Sequence, residues 1–490
     1  MINSNNYIKL IFIWFLVIII SGCSDPWNDR IDDSENNQIK QNLSEQLVSN
    51  PETSQFGQLL RETGYDSILN SSKTYTVWVP NNEAMNQVDE NLLSDIEQSR
   101  LFIKNHIALS TFTSTSNLDT VTVHMLNDKY LQFINGNKID ESQLITSDHY
   151  ASNGIFHTIN QALVPKLNIW EYLMENISDY EVSNYLETLD DFNIYHRADS
   201  IAKANPEAQN IYADSLTNSY LFNVYNLNNE RNKYTFFLME DDIFIEETNK
   251  LKPYLNKGQT DSTEVFAKYF NLRDLSFQQI FARENLPDTL TSQFGVKIPI
   301  NKQQIIEEIP LSNGIIYRMS SLNIPLNSRL VTTIIQGEEP NSFSRNDREE
   351  FIFYREKSDP NGNIVNDIMV RNHGIARFSI NYSARDMYST TYQVYWRAVN
   401  DIQSNTFQQQ LRIGGRRSSV EGEESNIIDP ITTLPYTNVP PDIYEEVYVG
   451  EFTLEQAGNI DFISLIAANT GSNGNNTLTL DYLRLVPVIQ

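Results

Sequence analysis

From residue 43 to residue 69 apolar side chains recur at helical intervals (Leu47, Phe56, Leu59, Leu60, Tyr65, Ile68), and the spacing predicts helix across that stretch. The period then changes. Tyr75-Thr76-Val77-Trp78-Val79 is a β-branched and aromatic run that predicts a strand, stopped at Pro80 because proline has no N–H for a ladder. Asn81 suits a helix N-cap, Glu83-Ala84-Met85 opens the helix it caps, and residues 101–109 read as a further short helix. Asn135-Gly136 and Asn153-Gly154 are hairpin signals, the second feeding a strand at 155–159.

The same landmarks return further along. Tyr75 precedes Asn153-Gly154-Ile155 by 153 − 75 = 78 positions, and Tyr234-Thr235-Phe236-Phe237 precedes Asn313-Gly314-Ile315 by 313 − 234 = 79. In each case a proline, Pro165 or Pro325, lies 12 positions after the Asn. The openings also agree, Asn168-Ile169-Trp170-Glu171-Tyr172-Leu173 matching Asn42-Leu43-Ser44-Glu45-Gln46-Leu47 at Asn, Glu and Leu. These coincidences predict a tandem pair of similar domains, at 41–166 and 167–327. Such pairs present surfaces rather than one catalytic cleft. The second is expected to carry an extra helical excursion at about 197–233.

After about Pro340 the pattern becomes alternation. Phe378, Ile380 and Tyr382 alternate with Arg377, Ser379 and Asn381, and Tyr392, Val394, Trp396 and Ala398 with Gln393, Tyr395 and Arg397. Further strands are expected at 447–449, 460–467 and 477–486. Many short strands separated by polar turns predict an all-β sandwich over 340–490. Trp396 shares a face with Val394 and Ala398 and is expected to be buried. Tyr395 and Arg397 share the other face. With Tyr436 and Tyr444 they are the candidate glycan-binding residues, since sugar rings stack on aromatic faces and polar groups hold the hydroxyls; Trp396 and Tyr448 belong to the same aromatic set. Asp359-Pro360-Asn361-Gly362-Asn363 superficially suggests a calcium loop, but its Gly is misplaced and Val370 stands where a twelfth-position glutamate is needed, so a hairpin turn is expected.

The start of the chain adds an address. Lys9 is the only charge before an unbroken apolar run at 10–20, too short to span a bilayer and right for a signal peptide over 1–22. Ile20-Ser21-Gly22-Cys23 resembles the bacterial lipobox, which implies lipidation of Cys23, the only cysteine present. The polar stretch to residue 40, with Asp25, Asp29, Asp32 and Asp33, reads as a flexible acidic tether. It resembles the signal that sends some lipoproteins to the outer face of the outer membrane. A single cysteine excludes an intrachain disulfide and any cysteine-based metal cluster.

Composition then narrows the function. Removing residues 1–22 takes Lys9 from 36 basic and 63 acidic side chains, leaving 35 − 63 = −28. Such a balance argues against nucleic-acid partners, which need phosphate-neutralising Lys and Arg. No G-x-S-x-G, H-E-x-x-H, phosphate loop or dinucleotide fingerprint occurs, and the six histidines lack metal-ligand spacing, so neither an enzyme nor a cofactor or metal is expected.

Two boxes in the first repeat resemble those of fasciclin (FAS1) domains: Thr76-Val77-Trp78-Val79-Pro80-Asn81-Asn82-Glu83-Ala84-Met85, and Asn153-Gly154-Ile155-Phe156-His157-Thr158-Ile159-Asn160. Between them the family has a Tyr-His pair, and this chain has Asn105-His106. In the second repeat the proline of the first box is missing and Tyr317 replaces the histidine. The resemblance implies two α+β fasciclin domains, the second degenerate, in a family of adhesion and matrix- or polysaccharide-binding modules without a recognised catalytic site. His106 and His157 are accordingly expected to be structural. Leu480-Asp481-Tyr482-Leu483-Arg484-Leu485 resembles the last strand of galactose-binding-like jelly rolls, the architecture of many carbohydrate-binding modules. The expected function is a lipid-anchored outer-membrane protein binding extracellular polysaccharide or matrix, accessory to a glycan-uptake system with a TonB-dependent transporter. The alternatives are a protein–protein subunit of an outer-membrane complex or cell–cell adhesin and, third, a glycoside-cleaving enzyme.

Overall fold

The computed structural model describes residues 40–71, 73–115, 119–190, 217–419 and 427–489. The export segment, Cys23 and the tether to residue 39 lie outside the described residues, as does the 197–216 part of the expected excursion. The chain divides into two compact units at Asn168 and Ile169.

In the first unit the helical stretch is three helices rather than one. Leu43–Ser49 opens on a capping box between Asn42 and Glu45. Asn50-Pro51 ends it, because Pro51 can only start a new turn, here the 3₁₀ turn Pro51–Thr53. Gly64, in the left-handed region at φ 78°, separates Ser54–Thr63 from Tyr65–Leu69. The expected helix at 101–109 is also corrected: the helix is Ile96–Lys104, and Ile107–Ala108 is already strand. Pro80 stays in the strand Tyr75–Pro80 as its last residue, opposite Ile159, where a missing N–H costs least.

That strand lies between Ile107–Ala108 and the parallel strand Gly154–Ile159 in a seven-stranded sheet, which continues through Ser142–Ala151, Lys138–Ile139 and Tyr130–Ile134 to Thr120–His124. A bridge between Ala108 and Met125 brings the two ends together. Tyr75, Val77 and Val79 face the helices and pack with Leu43, Phe56, Leu60 and Phe102, while Trp78 faces a second core with Phe133, Ile139 and Leu163. Asn135-Gly136 makes the expected hairpin, both residues at positive φ. The other hairpin turns one residue earlier than expected, at Ser152-Asn153. Gly154 is already paired with Tyr75, and a Cβ on it would lie 2.0 Å from the Tyr75 carbonyl oxygen.

The second unit repeats this centre. Tyr234–Met239 lies parallel to Gly314–Met319 with Tyr234 opposite Gly314, as Tyr75 is opposite Gly154. A Cβ on Gly314 would lie 2.1 Å from the Tyr234 carbonyl oxygen. The four strands run Ile305–Leu311, Gly314–Met319, Tyr234–Met239, Ser276–Phe277, the order of their counterparts in the first sheet. The side-chain bonds repeat as well. Asn153 accepts from the Leu43 N–H at 2.9 Å, and Asn313 from the Ile169 N–H at 2.9 Å. Thr76 donates to Ser110 O and accepts from the Phe112 N–H; Thr235 donates to Gln279 O and accepts from the Phe281 N–H. Of the expected excursion, the described part holds the helix Ser219–Asn223, capped by Asn218.

The rest of this unit is the β-sandwich. One sheet runs Thr333–Gln336, Tyr482–Pro487, Thr391–Arg397, Val447–Thr453; facing it is a sheet built on Ser379–Met387, Gly458–Ala467 and Phe407–Ile413. Tyr392, Val394 and Trp396 are buried between them with Ile380, Tyr382, Leu411 and Leu465, so Trp396 is inside, as its alternation predicts. Asp359–Asn363 is the tip of the hairpin Ile352–Ser358/Ile364–Val370, with the Asp359 carboxylate accepting from the N–H groups of Asn361 and Asn363. The sandwich joins the α+β part of its own unit through buried charges: Arg273 meets Asp386 at 2.8 Å, and the Tyr388 hydroxyl donates to Arg329 O, whose guanidinium meets Glu247 at 3.0 Å.

Candidate functional site

Alternation in Thr391–Arg397 turns Gln393, Tyr395 and Arg397 away from the core. Register then builds a row across all four strands of that sheet. Ile334 is opposite Arg484, Arg484 opposite Tyr395, and Tyr395 opposite Tyr448. With strands about 4.8 Å apart, the row is roughly 14 Å long. A register shift between Val394 and Tyr395 skips one residue of the partner strand and leaves Tyr448 beside Tyr395. The two rings meet edge to face, 5.4 Å between centroids at 61°. The Arg484 guanidinium stacks 4.4 Å from the Tyr395 ring and is gripped by both Glu446 carboxylate oxygens at 2.6 Å. Ile334 and Tyr448 are 55% and 50% exposed, so the row offers open apolar surface around a neutralised ion pair.

Arg397 stands one row away, opposite Tyr482. Its donors are already committed: Nε to Tyr444 O at 2.8 Å, and the two terminal nitrogens to Asp359 at 3.3 Å and Asp481 at 3.2 Å. It therefore fixes the Tyr444 loop rather than reaching toward solvent. Beyond it lies a lattice in which Arg355 grips Asp367 with two nitrogens (2.8 and 2.6 Å) and Asp401 with the third, and Lys357 bridges the same two carboxylates. Burial pushes the Asp481 carboxyl up to about 6 against the pull of Arg397. The Lys357 ammonium lies 6.0 Å from the Tyr444 ring centroid. Tyr436 is elsewhere, on the connection between Thr432–Thr433 and Thr437–Val439 in the facing sheet, with its hydroxyl donated to Ala467 O. Of the four glycan candidates, the structure thus places Tyr395 and Arg397 on one sheet, ties the Tyr444 loop to it through Arg397, and puts Tyr436 beside the other. Arg484, Glu446 and Ile334 were missed, because their neighbours are set by register between segments far apart in sequence. The one available signal was the alternation of Arg484 between the apolar Leu483 and Leu485.

Two histidines of the first unit, His106 and His157, are internal. His106 donates from Nδ1 to Phe102 O at 2.8 Å and accepts at Nε2 from the Leu163 N–H at 2.9 Å, which fixes the neutral ring. Desolvation lowers it to about 4. His157 has the opposite tautomer, donating from Nε2 to Phe112 O and accepting at Nδ1 from the Asp148 N–H, and burial lowers it too. Tyr317 performs the first of these tasks in the second unit, its hydroxyl donating to Phe281 O at 2.7 Å. Asn105, in the place of the family tyrosine, is buried, donating to Leu163 O and accepting from Asn127. Among the described residues no group of three His, Cys, Asp or Glu is arranged to hold a metal, and no helix is long and apolar enough to cross a membrane.

Residues 51–165 match the family model of the Fasciclin domain. No curated protein matches the chain. Among solved structures, a FAS1 domain pair from the insect cell adhesion molecule Fasciclin I is 16% identical, covering 56% of this chain and 97% of its own, at a TM-score of 0.23. The CBM36-1 domain of a multidomain xylanase from the hindgut metagenome of Trinervitermes trinervoides is 16% identical over 33% of this chain and 100% of its own, at 0.21. A β-1,3-glucan binding CBM6 from Bacillus halodurans is 14% identical over 31% and 95%, also at 0.21. The chain is an α+β fasciclin region followed by an all-β sandwich.

Proposed function

We propose that this chain is a non-catalytic lipoprotein, anchored through Cys23 and displayed outside the outer membrane, that binds extracellular glycan through the outer face of its sandwich. The observation that carries the reading is the row Ile334, Arg484, Tyr395, Tyr448. An exposed aromatic and aliphatic strip with a guanidinium already paired suits the apolar faces of sugar rings, and its neutrality favours an uncharged polysaccharide. The repeated α+β region is read as two fasciclin modules, the second drifted. A TonB-dependent transporter is the proposed neighbour.

Affinity electrophoresis of the full chain in gels containing neutral or uronic polysaccharides tests the binding. Retardation by a neutral glycan that Tyr448→Ala and Tyr395→Ala abolish is the expected result. Unretarded migration in every gel, with the melting profile intact, overturns it. A protein partner is the second reading, favoured by the edge strand Ile352–Ser358, where Tyr354 is 59% exposed beside an unpaired ladder. Recovery of a stoichiometric porin-like protein from detergent-solubilised membranes, lost on Tyr354→Lys, supports that reading instead.

A further inference from the structure

The second unit carries a cleft of about 280 Å³ that the sandwich face does not explain. It opens where the strand Lys297–Pro299 leads into the turn Lys302–Gln304, beside the segment that follows Gly314–Met319. Of its apolar lining residues, Ile300 and Leu322 are almost wholly buried, and Pro299 is the exposed one. Its polar lining is Asn301, Gln304, Ser321 and Asn323, with no charged side chain among the lining residues.

The polar groups are held in place and only partly used. The Asn301 carbonyl oxygen of the side chain accepts from the Gln303 N–H at 3.0 Å, which leaves its amide donors. The Gln304 side-chain oxygen accepts from the Ser320 hydroxyl at 2.7 Å, and Gln304 O accepts from the Ser320 N–H at 2.9 Å. Its amide nitrogen likewise remains as a donor. Strand pairing fixes the frame, Thr289 opposite Pro299 on one side and Ile305 opposite Met319 on the other.

The repeat sharpens the point. Counting back from Pro165 and Pro325, Asn323 occupies the position of Leu163. In the first unit Leu163 is 7% exposed and belongs to the core of Trp78 and Phe133. In the second unit the same position carries an exposed amide, flanked by the buried Leu322 and Ile324. The burial phase of the segment is inverted: Leu322 and Ile324 are buried where their counterparts Ala162 and Val164 are partly buried and exposed, so a polar group faces the mouth of the cleft at the position of a core leucine.

We infer that this cleft is a second binding site, taking one neutral, polyhydroxylated ring such as a terminal or side-chain pyranose of a glycan. Amides and a hydroxyl offer donors and acceptors side by side, as vicinal sugar hydroxyls require, and the exposed Pro299 ring offers an apolar face to the C–H side of the sugar. A charged ligand would lose its hydration with no counter-charge in the lining. At about 280 Å³ the volume lies just below the usual range of about 300–1,000 Å³, which fits one ring rather than a chain. The inference does not depend on the sandwich face.

The test is saturation-transfer NMR and titration of the full chain with methyl glycosides of glucose, galactose and mannose, and with glucuronate. At least one neutral glycoside is expected to bind in the millimolar range and glucuronate at least tenfold more weakly. Asn323→Leu, which restores the residue of the first repeat, should weaken binding tenfold or more with an unchanged melting profile, whereas Tyr448→Ala leaves it as it was. Glucuronate binding as well as the neutral glycosides overturns the inference, as does binding that survives Asn323→Leu or the absence of saturation by every neutral glycoside.

Discussion

Replacing Asn313 by alanine should destabilise the second unit more than replacing its counterpart Asn153 destabilises the first. Asn313 is fully buried. Its oxygen accepts from the Ile169 N–H at 2.9 Å and its nitrogen donates to Leu227 O at 2.7 Å, tying the first helix of the unit and the approach to the Tyr234 strand to the hairpin. Truncation strands one buried N–H and one buried carbonyl. At about 1–3 kcal/mol for each unsatisfied group, the expected loss is about 3–5 kcal/mol. Asn153 makes the matching bonds, to the Leu43 N–H and Leu69 O, but is only half-buried. Water can replace part of what is lost, and about 1–2 kcal/mol is expected. Calorimetry of the full chain, with each transition fitted separately, reads the difference. At about 2–4 °C per kcal/mol, the Asn313→Ala transition should fall by roughly 6–20 °C. Asn313→Asp separates the two roles, since a carboxylate still accepts from Ile169 but repels the Leu227 carbonyl, and it should regain stability at acid pH where a protonated carboxyl can donate. A drop below about 1 kcal/mol in Asn313→Ala, the range of an ordinary surface change, would refute the claim that this amide holds the repeat together.

Four further outcomes are expected. Gly314→Ala drives a Cβ to 2.1 Å from the Tyr234 carbonyl oxygen, and circular dichroism should show the second unit failing to fold cooperatively. His106 is unprotonated when folded down to about 4, against 6.5 in its ordinary state. Above pH 6.5 it is neutral in both states and contributes nothing; as pH falls from 6.5 toward 4 only the unfolded chain gains the proton, so stability falls by up to about 3 kcal/mol. Urea melts between pH 7.5 and 4 should show that slope in the native protein and a shallower one in His106→Gln. Asp481, raised from 3.8 to about 6, has the reverse sign for an acid: its contribution is greatest below 3.8 and is lost as pH rises toward 6, so Asp481→Asn should flatten the melting curve of the second unit across that window. Arg329→Met removes the guanidinium at 3.0 Å from buried Glu247 but leaves Lys250 at 2.6 Å, so by the same melts it should cost less than the roughly 3–5 kcal/mol of a buried charge with no partner.

The centre of each repeat was legible because it rests on local chemistry that leaves fixed traces. A glycine is needed where a backbone oxygen approaches to about 2 Å of a would-be Cβ, and an asparagine where one side chain must both accept and donate. Those needs keep Asn-Gly in step with the tyrosine that starts the strand. Alternation was equally readable at Trp396, whose burial follows from its neighbours alone. Helix boundaries were not: Asn50-Pro51 and Gly64 cut a continuous apolar stripe because breakers act on the backbone without disturbing the side-chain period. The proposed binding face was the least legible part. Tyr395 could be assigned a side from the alternation, but that Arg484 lies over its ring and Tyr448 against its edge depends on pairing between strands separated by about fifty to ninety residues of sequence. The same pairing commits Arg397 to Asp359, Asp481 and the Tyr444 carbonyl.

What the two repeats share is a set of internal bonds, and they differ both inside and at the surface. Thr76 and Thr235 make the same pair of bonds, and Tyr317 reaches the carbonyl of Phe281 as His157 reaches that of Phe112, so even an exchange of histidine for tyrosine preserved the bond. A repeated centre held together in this way constrains the scaffold and leaves positions outside those bonds free to differ. Asn323, exposed where Leu163 is buried, is such a position in the α+β region, and the row from Ile334 to Tyr448 belongs to a sandwich that follows only the second copy. Arg273 and Arg329 are buried where that sandwich meets the second copy, so the two share one core rather than a flexible joint. A ligand bound at either surface of this unit is therefore held in a fixed frame relative to the other, the condition under which two weak sites on one glycan act together.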